Sequence, residues 1–134
     1  MIVVDENAAG ETLLNLIRGW YRGKVCGIRD LLPGAVIKDE MIPRLLAAEL
    51  QPTFVTFNVS DFWQEIKPHS KFCIVCLPIP PDRPEEFSEV LRRVLGLRPF
   101  STKRSRMGKV ALAGQDGVRY YSSGAMEVVQ IPWS

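Results

Sequence analysis

Four acids and one amide carry the chemistry this sequence can offer: Asp5, Asp39 with Glu40 beside it, Asn58 and Asp61. Asp5 directly follows the apolar run Ile2-Val3-Val4, and Asn58 and Asp61 follow the run Thr53 to Phe57. Carboxylates gathered at one place repel, and the usual resolutions are a bound divalent cation or a raised pKa. A hard cation such as Mg²⁺ takes one or two carboxylates and completes its shell with waters and substrate phosphate. Such an ion can activate water and stabilise a phosphorane-like transition state. The chemistry expected of these residues is therefore phosphodiester hydrolysis, not hydride or acyl transfer. Each residue also has a plainer role. Asp5 suits a turn, Asp39 the N-cap of a helix, and Asn58 a loop held by side-chain hydrogen bonds.

The acids converge only if the surrounding elements bring them together. Ile2 to Val4 reads as a short buried strand, and Asp5 to Gly10 as a polar turn. Leu13, Leu14, Leu16, Ile17, Trp20 and Tyr21 recur at helical spacing, which predicts a helix over Glu11 to Arg22 ended by Gly23. A second strand over Lys24 to Ile28 leads through the Pro33-Gly34 turn to a helix opened by Asp39. Met41, Ile42, Leu45, Leu46 and Leu50 form the apolar face of that helix, with Pro43 in its first turn. The strand Thr53 to Phe57 follows. Strand, helix, strand, helix, strand is the pattern of a parallel sheet wound by right-handed crossovers, which places ligands beyond the carboxyl ends of the strands. Asp5, Asp39, Asn58 and Asp61 fall on that edge.

Further along, Phe72 to Leu77 predicts another buried strand, and four prolines between 78 and 84 interrupt regular structure before a helix over Glu85 to Leu95. Lys109 to Ala113, Val118 to Ser122 and Met126 to Ile131 predict a small antiparallel meander. The expected fold is thus α/β: a single domain over 1–134, with a parallel α/β core at 1–77, and a helix, a basic loop and the meander at 78–134.

A chain of 134 residues is one ordinary domain. No apolar run approaches the roughly 20 residues that span a bilayer, and the acidic beginning does not read as a signal peptide, so the expected setting is the cytoplasm. Cys26, Cys73 and Cys76 are odd in number, and Cys73 and Cys76 sit inside an apolar strand where positions three apart face opposite ways. They read as core thiols.

Charge is uneven: residues 1–91 carry 9 basic against 13 acidic side chains, while 92–134 carry 8 against 2. Arg98, Lys103, Arg104, Arg106 and Lys109 form the centre of a segment without acids, suited to phosphate contacts of strongly salt-dependent affinity. Phe100, Tyr120 and Tyr121 are placed to stack on unpaired bases. The plainer alternative makes the aromatics core and the basic loop solvated or turned to an acidic partner protein.

Three stretches resemble a known family. Val-Val-Asp-Glu-Asn at 3–7, Lys-Asp-Glu-Met-Ile at 38–42 and Val-Thr-Phe-Asn-Val-Ser-Asp-Phe at 55–62 look like PIN-like domains, in particular the shortened kind among toxins of prokaryotic toxin-antitoxin pairs. The third is the most specific, matching Thr-x-Asn-x-x-Asp-Phe. The resemblance covers about residues 1–77. It implies a three-layer, Rossmann-like PIN fold and a Mg²⁺- or Mn²⁺-dependent endoribonuclease. Asp5, Asp39 or Glu40, and Asp61 would be the metal-binding acids, accompanied by Asn58. The implied partners are RNA and an antitoxin protein, and the C-terminal edge strand leaves a homodimer open. PIN domains carry a further early glutamate, for which Glu11 is the stand-in here. Two rivals remain: a non-catalytic module that binds RNA or protein through the 92–109 segment, and a phospho-accepting receiver, which shares Asp5-Glu6 but would need a lysine after a later strand.

Overall fold

The computed structural model describes residues 1–6, 8 and 10–133, with Met126 described by its backbone alone. Asn7 and Ala9, within the expected polar turn, lie outside the described residues. Among the described residues, one seven-stranded sheet organises the chain. Its strands are β1 (Ile2–Val4), β2 (Val25–Gly27), β3 (Thr53–Thr56), β4 (Cys73–Cys76), β5 (Lys109–Ala113), β6 (Gly117–Ser122) and β7 (Ala125–Pro132), in the order β2-β1-β3-β4-β5-β6-β7. The first five are mutually parallel, and β6 and β7 are antiparallel additions at one side. The expected α/β architecture with a C-terminal meander is therefore present.

Among the described residues, five α-helices accompany the sheet: α1 (Glu11–Arg18), α2 (Ile42–Ala47), α3 (Val59–Phe62), α4 (Pro84–Gly96) and α5 (Lys103–Arg106). Because β1, β3 and β4 are buried on both faces, their β-branched and aromatic side chains divide between two cores. Val4, Val55 and Val75 meet Leu13, Ile17, Phe87 and Leu91 of α1 and α4 on one face. Val3, Phe54 and Ile74 meet Ile42, Leu46 and Phe62 of α2 and α3 on the other. The result is three layers, with helices on both faces of the sheet. Among the described residues, no helix is long and apolar enough to cross a membrane.

Several boundaries differ from the sequence reading. Helix α1 stops at Arg18, with Gly19 as its C-cap, four residues short of Arg22. Beyond it Trp20 and Tyr21 serve distant partners: the Trp20 Nε1 donates to Ser88 Oγ on α4 at 2.9 Å, and the Tyr21 hydroxyl accepts from Arg106 at 3.1 Å. Helix α2 ends at Ala47, so Leu50 falls outside it and is 85% exposed instead of packing. Asp39 does not cap α2. It opens a short 3₁₀ turn over Asp39–Met41, and the N-cap of α2 is Met41. Cys73 and Cys76 do point into opposite cores, where burial pushes both thiols up to about 12.

Candidate active site

The order β2-β1-β3 makes the chain reverse direction across the sheet between β1 and β3, and ligands of open α/β sheets bind in the crevice outside the carboxyl ends of the strands at such a point. Asp5 leaves β1 there, its N–H donating to the Val55 carbonyl at 2.9 Å. Thr56 ends β3 directly alongside. Its hydroxyl donates to Asp5 Oδ2 at 2.6 Å and accepts from the Asn58 N–H at 3.0 Å. Both Asp5 and Thr56 are buried. Burial raises the Asp5 pKa above the ordinary 3.8, while the Thr56 hydroxyl and the Glu6 N–H pull the other way by bonding the ionised form.

Asn58 is the N-cap of α3. Its Oδ1 accepts from the Asp61 N–H at 3.2 Å, and its Nδ2 donates to Asp61 Oδ2 at 2.6 Å. One amide thus starts the helix and fixes the carboxylate one turn later. Asp61 is held by this exposed helical turn, three residues beyond Asn58, and not by the strand end that the sequence pattern suggested.

Asp39 arrives from the loop after β2 and comes close enough to Asp61 for the two carboxyl groups to affect each other. Its pKa is raised, first by desolvation, then by the hydrogen bond and negative charge of Asp61, and further by Asp5 and Glu40. Glu40 is exposed next to it and acts as a nearby charge. Three acids from three separate loops therefore share one neighbourhood, as the topology requires. Among the described residues, no three Asp, Glu, His or Cys side chains already surround a common point as ligands of one ion. Asp5 is turned down onto Thr56, which leaves Asp39 and Asp61 as the outward pair. An all-oxygen pair with repelling charge fits a Mg²⁺-type ion, which keeps most of its waters and needs only one or two carboxylates.

Glu6 completes the rim, paired with Arg29, whose Nε donates to Glu6 Oε1 at 3.0 Å. Glu11 pairs with Arg18 at 3.2 Å on the exposed side of α1. Thr56 is the residue that sequence reasoning left without a role. Its signal was the threonine of the Thr-x-Asn-x-x-Asp-Phe pattern itself.

The basic segment is not part of this site. Residues 98–109 lead into β5, which runs parallel to β1 and β3, so they lie at the opposite, amino-terminal edge of the sheet. Five residues of strand at roughly 3.3 Å each separate the two edges by about 16 Å. Lys103 and Arg106 instead lie near the start of β1, where they help burial to lower the Met1 amino group to about 6. Arg98, Lys103 and Arg104 are exposed there, and the Lys109 ammonium donates to the Ser105 carbonyl.

Arg106 corrects the expectation of a free phosphate contact. It is 3% exposed, and each of its three guanidinium nitrogens donates one bond within the protein, to Thr53 Oγ1 at 2.7 Å, the Phe100 carbonyl at 3.0 Å and the Tyr21 hydroxyl at 3.1 Å. Phe100 and Tyr121 are likewise core residues, not stacking platforms: Phe100 packs edge-on to the half-buried Tyr120, and the Tyr121 hydroxyl bonds to the backbone at Gln64 and Ile66. Strand β5 ends at Ala113 and is followed by Gly114, which offers no lysine for a receiver-type site. Compared with protein-family models, curated proteins and solved structures, the chain finds no match.

Proposed function

We propose that this protein is a PIN-like, Mg²⁺- or Mn²⁺-dependent endoribonuclease. The observation that carries the reading is the meeting of Asp5, Asp39 and Asp61, from three distant loops, at the switch point between β1 and β3. Asp39 and Asp61 would hold the ion, with Asp5 and Glu40 contributing through its waters or by charge. A bound ion would supply Lewis-acid polarisation of the phosphoryl group and a more acidic water. The chain's own residues do the positioning. Asn58 clamps one oxygen of Asp61. Thr56 holds Asp5 in one orientation and ties it, through the Asn58 N–H, to the loop that presents Asp61. The motif resemblance at 3–7, 38–42 and 55–62 supports RNA as the substrate and a neutralising antitoxin as the partner.

Purified protein should cleave single-stranded RNA in Mg²⁺ or Mn²⁺ and lose that activity on chelation. Asp5→Asn and Asp61→Asn should each lower the rate about 100-fold or more while staying folded, the scale typical of removing a group that stabilises developing charge. Intact RNA in both metals, together with no binding of either ion, would refute the proposal.

One observation favours a second reading, a non-catalytic module. Exposed Arg98, Lys103 and Arg104 stand about a strand's length from the acids, so polyanion binding at that edge does not require the acidic site. RNA affinity that survives Asp5→Asn and Asp61→Asn, without cleavage by the unaltered protein, would select it.

A further inference from the structure

Arg106 presents a physical problem that its hydrogen bonds do not solve. All three of its nitrogens are bonded, yet every partner is neutral: a threonine hydroxyl, a backbone carbonyl and a tyrosine hydroxyl. Among the described residues it has no ion-pair partner, nor do its neighbours Arg22 and Lys103. Burying a guanidinium without a counter-charge is costly, and proteins ordinarily supply a carboxylate. Arg106 also helps line a cleft of about 380 Å³, together with Tyr21, Arg22, Gly23, Ser101 and Lys103.

The lining suits a small anion. Arg106 has five N–H donors, of which three are engaged by the bonds above, leaving two on its terminal nitrogens. Tyr21 accepts from Arg106 and keeps its own hydroxyl proton to donate. Gly23 lets the Tyr21 ring lie against the backbone, since a Cβ there would come within 2.6 Å of the ring and push it away. Arg22 and Lys103 are exposed at the mouth, where they can close over a bound group. A planar guanidinium fork below two flexible cations matches tetrahedral oxyanions, and phosphate in particular.

We propose that this cleft, at the amino-terminal edge of the sheet and remote from the acidic site, binds a phosphate group with Arg106 as its buried anchor. The phosphate is either free in solution or the terminal phosphate of an oligonucleotide. The inference stands independently of the nuclease reading, because it uses none of the acids.

The test is thermal unfolding and isothermal titration of the full chain with inorganic phosphate, against chloride at matched ionic strength. A single saturable site with phosphate-specific stabilisation is expected. Arg22→Gln, Lys103→Gln and Tyr21→Phe should each weaken phosphate binding about threefold to tenfold, the range of one lost polar contact to a charged group. These three positions are at the surface or half-buried, so the variants test the site even where Arg106→Gln fails to fold. A second arm compares short oligoribonucleotides with and without a 5′ phosphate. Preference for the phosphorylated strand, competed by inorganic phosphate, assigns the source to nucleic acid, and equal affinity for both strands alongside tight inorganic phosphate assigns it to the free ion. Absence of saturable phosphate binding, or binding that all three variants leave unchanged, overturns the proposal.

Discussion

Replacing Thr56 by valine isolates the contact that joins β1 to β3 at the candidate site. Valine preserves the shape of threonine, so the change removes a hydroxyl without opening a cavity. That hydroxyl donates to Asp5 Oδ2 at 2.6 Å and accepts from the Asn58 N–H at 3.0 Å, and both Thr56 and Asp5 are buried. A hydrogen bond to a charged group contributes about 1.5–3 kcal/mol, so Thr56→Val should destabilise the metal-free protein by about 2 kcal/mol at pH 7. The sign of the pH dependence follows from Asp5. Its folded-state pKa is raised by burial, so its ionised form already costs stability above the ordinary 3.8, and loss of the Thr56 donor raises that pKa further. The deficit of the variant should therefore be largest at neutral pH and shrink as pH falls through the raised folded-state values of Asp5, below which the carboxyl is protonated in both proteins. Urea unfolding in chelator at pH 7 and near pH 4 measures it, and an Asp5→Asn/Thr56→Val double-mutant cycle at pH 7 isolates the coupling. A deficit equal at both pH values, or additive effects in the cycle, would refute the account of Asp5 as a buried carboxylate held ionised by Thr56.

Two further outcomes follow from the same geometry. Asp39→Asn removes a carboxylate from beside Asp61 and Asp5, so the metal-free protein should gain a few tenths of a kcal/mol at pH 7, the effect being small because the site is solvated. Since the Asp39 pKa is raised, that gain should fade as pH falls through its folded value toward 3.8, which chemical denaturation across that window would record. At the turn between β5 and β6, Gly117 has φ +153°, and a Cβ there would lie 2.0 Å from the Ile131 carbonyl oxygen. Gly117→Ala should cost about 2 kcal/mol or more and lower the melting temperature, with hydrogen exchange speeding first in β7.

Much of the fold was legible because its elements carry strong local patterns. The apolar runs at 2–4, 53–57 and 72–77 are too short for core helices and too continuous for exposed strands, and all three are buried strands of the parallel sheet. Helix α4 announces itself through acids in its first turn and an arginine in its last, and it spans Pro84–Gly96. Trp20 and Tyr21 continue the spacing of α1 past its end, although their partners Ser88 and Arg106 lie 68 and 85 residues away. Leu50 fits the helical period of α2, but the helix has already ended.

The sequence by itself determined which side chains stand after which strands, and parallel winding then obliges Asp5, Asp39 and Asp61 to share the carboxyl edge. Tertiary structure decided what each does there. Thr56 became the link between Asp5 and the Asn58 loop only once β1 and β3 were adjacent, a pairing of residues 51 apart that no local spacing encodes. It also separated the basic segment from the acids, because strand direction sets the edge on which a loop emerges, whereas charge counts are blind to it. Arg106 shows the same limit. In sequence it is one of several cations, and only the packing of Tyr21, Thr53 and Phe100 around it makes it a buried charge.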